Sequence, residues 1–561
     1  MERFRSVLGR WLARGAVTIA GCVGLVGGVL SAPAGAATRA FELVTPLGSL
    51  AQIEGQGAFS LDDGNTVFFT SGDPLVGSTP NGPMPTSDSY MSTRGPDGWT
   101  TTWVTDVAQD EPGTIGSRTM FSNEDGSLQV LATENRVDAG DTFAHSVDGY
   151  LRELTSDGSR FTWVTWGPRN SIEHRAVLAA TPDLRTLLIT TTVAMVPEDT
   201  NDASDVYLIR DGEPELLVET DEGTEVFHYA PFLAMPNTLL ADGRTVFFAT
   251  NAALVPEDTD THRDLYRRDA SGRITLLSPN RRSTPLGVSR AVETTFVGFS
   301  SDGDVACFLT REPLVEGLTV ATHMHVYCYT VSTDTLELVT VGAEDTALRG
   351  LAVSDDASTV VFATRTALTD DDEDGGLSLY VHRRDTGRHH YVGPLAATDT
   401  QRGRVNASTI IGRRGIRISP DGTEAFFVTD AQMVAEDVDG DADVYRWTLD
   451  RGTELISSAP GAGVSTFGST VTNSDMFTDE SVQGRVMTDG GARMYFISQV
   501  PHVPEDTDGG YYDLYEWSED EGIRLISPAG DAPYDAFYLD NSTDGSSVFF
   551  ITSEPIDPRD D

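Results

Sequence analysis

From residue 40 onward the apolar residues come in short runs rich in Val, Phe, Ile and Thr, broken by Gly, Asp, Asn and Pro. No stretch there keeps the spacing of an amphipathic helix, so the pattern predicts an all-β chain. The clearest marker is an Asp, usually followed by Gly, that leads into an apolar strand. It occurs at Asp63 (TVFFT), Asp125 (LQVLAT), Asp183 (TLLIT), Asp242 (TVFFAT), Asp302 (VACFLT), Asp356 (TVVFAT), Asp421 (AFFVT), Asp489 (MYFIS) and Asp544 (VFFIT). The intervals run from 54 to 68 residues. A hairpin recurring at one period means one supersecondary unit repeated.

Residues Thr238 to Pro279 show the unit most clearly. NTLLADG ends one strand in an Asp-Gly turn, TVFFAT is the second strand, an acidic segment from Val255 to Arg263 follows, DLYRRD is the third strand and RITLLSP the fourth. Gly tolerates the positive φ of such a turn, and Asp can bond the backbone two residues on. Four antiparallel strands per repeat describe a propeller blade. Eight full units can be read this way, and a ninth has two strands, in AFYLDNSTDG and SSVFFIT. Phe41 to Pro46 matches the fourth strand of the other units and is expected to complete the last blade, which removes an open sheet edge. The expected fold is a single β-propeller of eight or nine four-stranded blades, nine favoured, closed by the N-terminal strand; two smaller rings are the alternative.

The acidic segment is itself a repeat. VPEDTNDASDVY begins at Val196, VPEDTDTHRDLY at Val255, VAEDVDGDADVY at Val434 and VPEDTDGGYYDLY at Val503, with a worn copy from Thr369 and a cut-off one from Glu554. The residues Asp199, Asn201 and Asp205 recur as Asp258, Asp260 and Asp264, as Asp437, Asp439 and Asp443, and, with one residue more, as Asp506, Asp508 and Asp513. Hard oxygens alternating through a turn suit Ca²⁺, which takes ~6–8 oxygen ligands. The other reading is structural: the side chains bond turn amides and keep a strand edge charged. Both stay open, although no Gly or bidentate Glu holds a fixed place in all four copies. The Tyr that follows (Tyr207, Tyr266, Tyr327, Tyr380, Tyr445, Tyr515) is expected to pack between blades with its hydroxyl on a polar partner.

Asp-Gly hairpin, apolar strand, acidic turn, Asp-Leu-Tyr and closing Leu-Ser-Pro together resemble the WD-like repeats of TolB-type β-propellers of secreted bacterial proteins. The resemblance covers nearly all of the chain beyond residue 36 and implies the fold. It leaves function open, since such propellers serve as protein-binding scaffolds, as glycan-active enzymes and as domains attached to hydrolases. The repeat is longer here than the ~40–45 residues of WD repeats.

Composition sharpens the picture. The chain has 561 residues and a net charge of -47, and all 39 of its basic residues are arginine. Such a surface repels nucleic acid and anionic lipid, whose binding needs clustered cations. Arg3, Arg5, Arg10 and Arg14, then the apolar run from Ala16 to Leu30 and Ala34-Gly35-Ala36, read as an export signal over residues 1–36, with the β-propeller domain over 37–561. Two alternatives remain: lipidation of Cys22 as an envelope lipoprotein, and an uncleaved anchor. No other stretch is apolar enough to span a membrane.

In an oxidising compartment Cys307 and Cys328, on consecutive strands, are candidates for a disulfide; two small buried residues is the other reading. His323 with His325 and His389 with His390 show no metal spacing, and no nucleophile elbow, phosphate loop or zinc motif occurs. Asn406-Ala-Ser and Asn541-Ser-Thr fit the glycosylation pattern. The functional expectation is a secreted, monomeric, non-enzymatic propeller that binds a protein or a polysaccharide, without nucleic acid. A glycan hydrolase or lyase is the alternative, with no catalytic residues assigned.

Overall fold

Short runs of β-branched and aromatic residues form strands because both faces of each run can be buried, and the turns between them carry the residues that reverse the chain. In the computed structural model every described element is a β-strand. The described residues are 18–23, 40–46, 53–72, 75–76, 88–104, 117–133, 137, 148–156, 158–164, 176–191, 194–200, 205–218, 226–227, 238–259, 263–279, 295–318, 324–343, 346–373, 375–395, 416–429, 431–438, 442–457, 485–528 and 533–556.

The chain divides into two compact units, Met1–Trp163 with Gly468–Asp561, and Val164–Phe467. The second unit holds five four-stranded antiparallel meanders in chain order. One is Ala176–Ala180, Thr186–Thr191, Asp205–Arg210 and Glu213–Val218; another is Ile416–Ile418, Glu424–Thr429, Asp443–Thr448 and Gly452–Leu455. The first unit holds two more, over Ile53–Trp103 and Ser117–Trp163, and a four-stranded sheet that joins the two ends of the chain. Eight four-stranded blades of this kind make an all-β propeller fold.

The preference for nine full blades is corrected. Residues Arg493–Ser498, Asp513–Ser518 and Gly522–Leu525 form a three-stranded sheet, beside which the inner strand is, among the described residues, a single bridge between Met487 and Met494. The reason lies in Arg485. Its backbone N–H donates to Asp540 Oδ1 at 2.7 Å and its carbonyl accepts the Tyr538 hydroxyl, so both groups serve the neighbouring sheet and not the ladder.

The end-joining sheet runs Ala40–Leu43, Thr18–Val23, Ser547–Thr552, Ala536–Asn541. The strand at Phe41 is therefore the outer strand of the sheet that holds the last strands of the chain, as its sequence implies. The third position is taken by Thr18–Val23, antiparallel to both neighbours, with Cys22 opposite Phe41 and Val548. That segment lies inside the expected export signal.

Within each unit the sheets pack face to face. Val361, Leu379 and Val381 of one blade meet Phe427, Tyr445 and Trp447 of the next, and Leu188 and Leu208 meet Phe248 and Tyr266 in the same way. The repeated Tyr thus packs between blades. It also stacks across its own sheet on the residue paired with it, as in Phe248–Tyr266, Phe362–Tyr380, Phe427–Tyr445 and Phe496–Tyr515, with ring centroids 5.4 to 6.0 Å apart. Cys307 and Cys328 face each other on paired strands and are joined by a disulfide.

Candidate metal centre in the acidic turns

The acidic segment is the crossing from the second to the third strand of a blade. It opens with one tight turn in all five copies: the amides of Asp199, Asp258, Asp372, Asp437 and Asp506 donate to the carbonyl three residues back at 3.1 to 3.3 Å. That turn swings each carboxylate inward, and all five are buried. There Tyr207, Tyr266, Tyr380, Tyr445 and Tyr515 donate their hydroxyls to Asp199, Asp258, Asp372, Asp437 and Asp506 respectively. Burial, and then the carboxylate that takes the proton's hydrogen bond, push these phenols well above their usual range. The acid that opens the turn and the Tyr eight or nine residues later therefore form one lock.

The last acid of the pattern heads the third strand. Asp264, Asp443 and Asp513 accept from Ser278, Ser457 and Ser527 at 2.5 to 2.6 Å, and each of those Ser hydroxyls also takes the amide that follows the Asp. This explains why Asp-Leu-Tyr and the Ser after the fourth strand recur together. Asp205 heads its strand in the same way and is buried. The middle residues Asn201, Asp260 and Asp439 lie outside the described residues, as do His323, Asn406 and Asp557 to Asp561.

The copy from Val503 is described throughout. Asp506, Asp508 and Asp513 each offer an oxygen within 4.8 Å of those of the other two. Asp506 and Asp513 are 8% and 5% exposed. Tyr515 holds Oδ2 of Asp506, and its buried Oδ1 has no hydrogen-bond partner among the described residues; Asp372 Oδ1, in the worn copy, is in the same position. Burial, and then the charges of Asp506 and Asp508, raise the Asp513 carboxyl to about 7 even though Ser527 donates to it. Glu554, at the end of the last described blade, is raised by burial and then by Asp508. Carboxylates that crowd one another in this way favour either a shared proton or a cation.

One buried polar group gave no recognisable pattern in the sequence. Asp540, on a bulge of Ala536–Asn541, accepts from Ser60 N at 2.6 Å, Ser60 Oγ at 2.9 Å, Arg485 N at 2.7 Å and Asn541 N at 2.8 Å. Burial raises its carboxyl above the usual range, although Arg485 and these donors oppose the shift. Arg485 donates to the carbonyls of Asn541 and Ser60 and pairs with Asp62 at 3.2 Å. The group ties neighbouring sheets of one unit together. Asn541 is 0% exposed and bonded to Tyr538 and Ser542, so its Asn-Ser-Thr pattern presents no glycan acceptor in the folded chain.

No family model and no curated protein matches the chain. Solved structures do resemble it. TolB from Acinetobacter baumannii aligns at 13% identity and a TM-score of 0.25, over 56% of this chain and 61% of that one. Dipeptidyl peptidase 4 from Porphyromonas gingivalis aligns at 11% and 0.44, over 88% and 64%. An oligogalacturonate lyase in complex with manganese aligns at 14% and 0.33, over 70% and 88%. The chain thus spans less than two thirds of the TolB and peptidase chains. The propeller fold itself rests on the eight sheets.

Proposed function

We propose that the chain is a secreted, non-enzymatic β-propeller that binds a protein or a cell-surface polymer through the loops between its strands. What supports this is the use made of the recurring acids. The Asp at the start of each acidic turn holds a Tyr, the Asp of Asp-Leu-Tyr holds a Ser, and the Asp of the hairpins holds a turn amide. Groups held in this way build blades. Export through residues 1–36 fits the all-arginine basic region, and among the described residues no helix is long and apolar enough to cross a membrane.

The rival is a propeller enzyme that cleaves glycan with two loop carboxylates, which would stand ~5–9.5 Å apart across the scissile bond. Incubation of the purified protein with a polysaccharide panel, read for both retention of the protein and release of reducing ends, separates the two. Retention without product is expected. Product formation abolished by a single Asp or Glu substitution would overturn the reading.

A further inference from the structure

The turn from Val503 is where the acids have more oxygen than the fold uses. Asp506 gives Oδ2 to Tyr515 and Asp513 gives Oδ1 to Ser527. What remains is a set of three carboxylates with oxygens within 4.8 Å of one another, two of them on side chains more than nine-tenths buried. Burying like charges together is unfavourable unless a counter-charge joins them. The buried Oδ1 of Asp506 is a second and separate sign, since it has no donor although its twin oxygen is fully engaged. A buried charged acceptor without a donor is costly, and a cation removes that cost without a hydrogen.

We propose that Asp506, Asp508 and Asp513 bind one hard divalent cation, Ca²⁺, at the crossing from Arg493–Ser498 to Asp513–Ser518. Oxygen-only ligands exclude the softer metals that prefer His or Cys. The loop carries Gly509 and Gly510 at φ 40° and 101°, so its backbone can close around an ion whose coordination is irregular, as Ca²⁺ accepts and Mg²⁺ does not. Water and backbone carbonyls supply the remaining ligands. The ion would fix the start of Asp513–Ser518 against the turn and make this sheet, with its single-bridge inner edge, depend on Ca²⁺. This goes beyond the binding function proposed above and holds or fails independently of it.

Terbium titration of the full chain tests it, because Tb³⁺ occupies Ca²⁺ sites and is excited through a nearby Tyr or Trp. Tyr515 holds one of the proposed ligands. The wild type is expected to give luminescence that Ca²⁺ displaces, and Asp508→Asn to bind one equivalent fewer, while Asp520→Asn, at an exposed acid in the hairpin beyond, binds as the wild type does. Equal equivalents in wild type and D508N, or no displaceable signal in the wild type, would refute the site. Hydrogen exchange on the wild type alone gives a second reading that needs no variant. Ca²⁺ is expected to slow exchange at least threefold over residues 503–518 relative to EGTA, and identical exchange there would refute the site as well.

Discussion

Gly243 shows at one residue why the hairpin marker takes the form Asp-Gly. Its φ is +63°, and a β-carbon there would lie 2.6 Å from Thr186 Oγ1 of the preceding blade in the same unit. The position therefore demands both left-handed backbone and no side chain. The Asp before it accepts the amide two residues on: Asn65, Ser127, Arg185, Arg244, Asp304, Ser358, Thr423 and Ser546 donate to the hairpin Asp at 2.8 to 3.1 Å. At the eighth hairpin the geometry is shifted by one, since Gly491 takes the left-handed place with φ +69° and Gly490 stands where the others carry Asp. Asp489, read as a marker, is the residue before. Leu184 and Ala357 occupy the glycine position with φ +53° and +52°, so the fold tolerates the strain twice. Gly243→Ala is expected to lower stability by about 2–4 kcal/mol, from ~1–2 for the left-handed backbone and the rest from overpacking. Gly212→Ala, where φ is +88° and nothing lies within 4 Å, should lose only the backbone part. Urea unfolding of the two variants side by side measures the difference.

His502 gives the residue-scale pH dependence. Burial alone lowers its imidazole to about 4, and neither ring nitrogen has a hydrogen-bond partner among the described residues, the ring lying edge-on to Phe496 and Tyr515. The folded state binds fewer protons than the unfolded chain between about pH 4 and 6.5. Its stability contribution is therefore complete above pH 6.5 and falls as the solution is acidified through that window. The loss is on the order of 3 kcal/mol at pH 4. Unfolding midpoints from pH 7 to pH 4 should fall less steeply in His502→Phe than in the wild type; parallel curves would show that the histidine contributes nothing.

At the scale of the blade, the local features were readable in the sequence and their partners were not. Asp-Gly turns, apolar second strands and the crossing place of the acidic segment follow from turn chemistry and alternation within a few residues. That Asp437 reaches Tyr445, and Asp443 reaches Ser457, depends on how the turn folds back, although both pairs recur at fixed spacing and this was the available signal. The convergence of Asp506, Asp508 and Asp513 was legible as a pattern, but not as different in kind from the other turns. Asp540 and Arg485 were invisible, because the donors from Ser60 and Arg485 lie 480 and 55 residues away.

At the scale of the molecule, repetition carried the blade architecture and the placing of the Phe41 strand beside the last blade. It did not carry the number of complete blades, because a strand position can lose its ladder to a neighbouring sheet without losing its apolar pattern, as at Met487. Nor did it place Thr18–Val23, whose apolar run suits export and a sheet interior alike. Across the molecule the role of the repeated acids is to hold the blades together. Its most direct test is a set of four variants, Asp199→Ala, Asp258→Ala, Asp372→Ala and Asp437→Ala, each removing the carboxylate that holds a buried Tyr hydroxyl. Measured by chemical denaturation, each is expected to lose about 1.5–3 kcal/mol, the range for a hydrogen bond to a charged group. Stabilities equal to that of the wild type across the set would contradict the account and return these turns to the status of ligand sites.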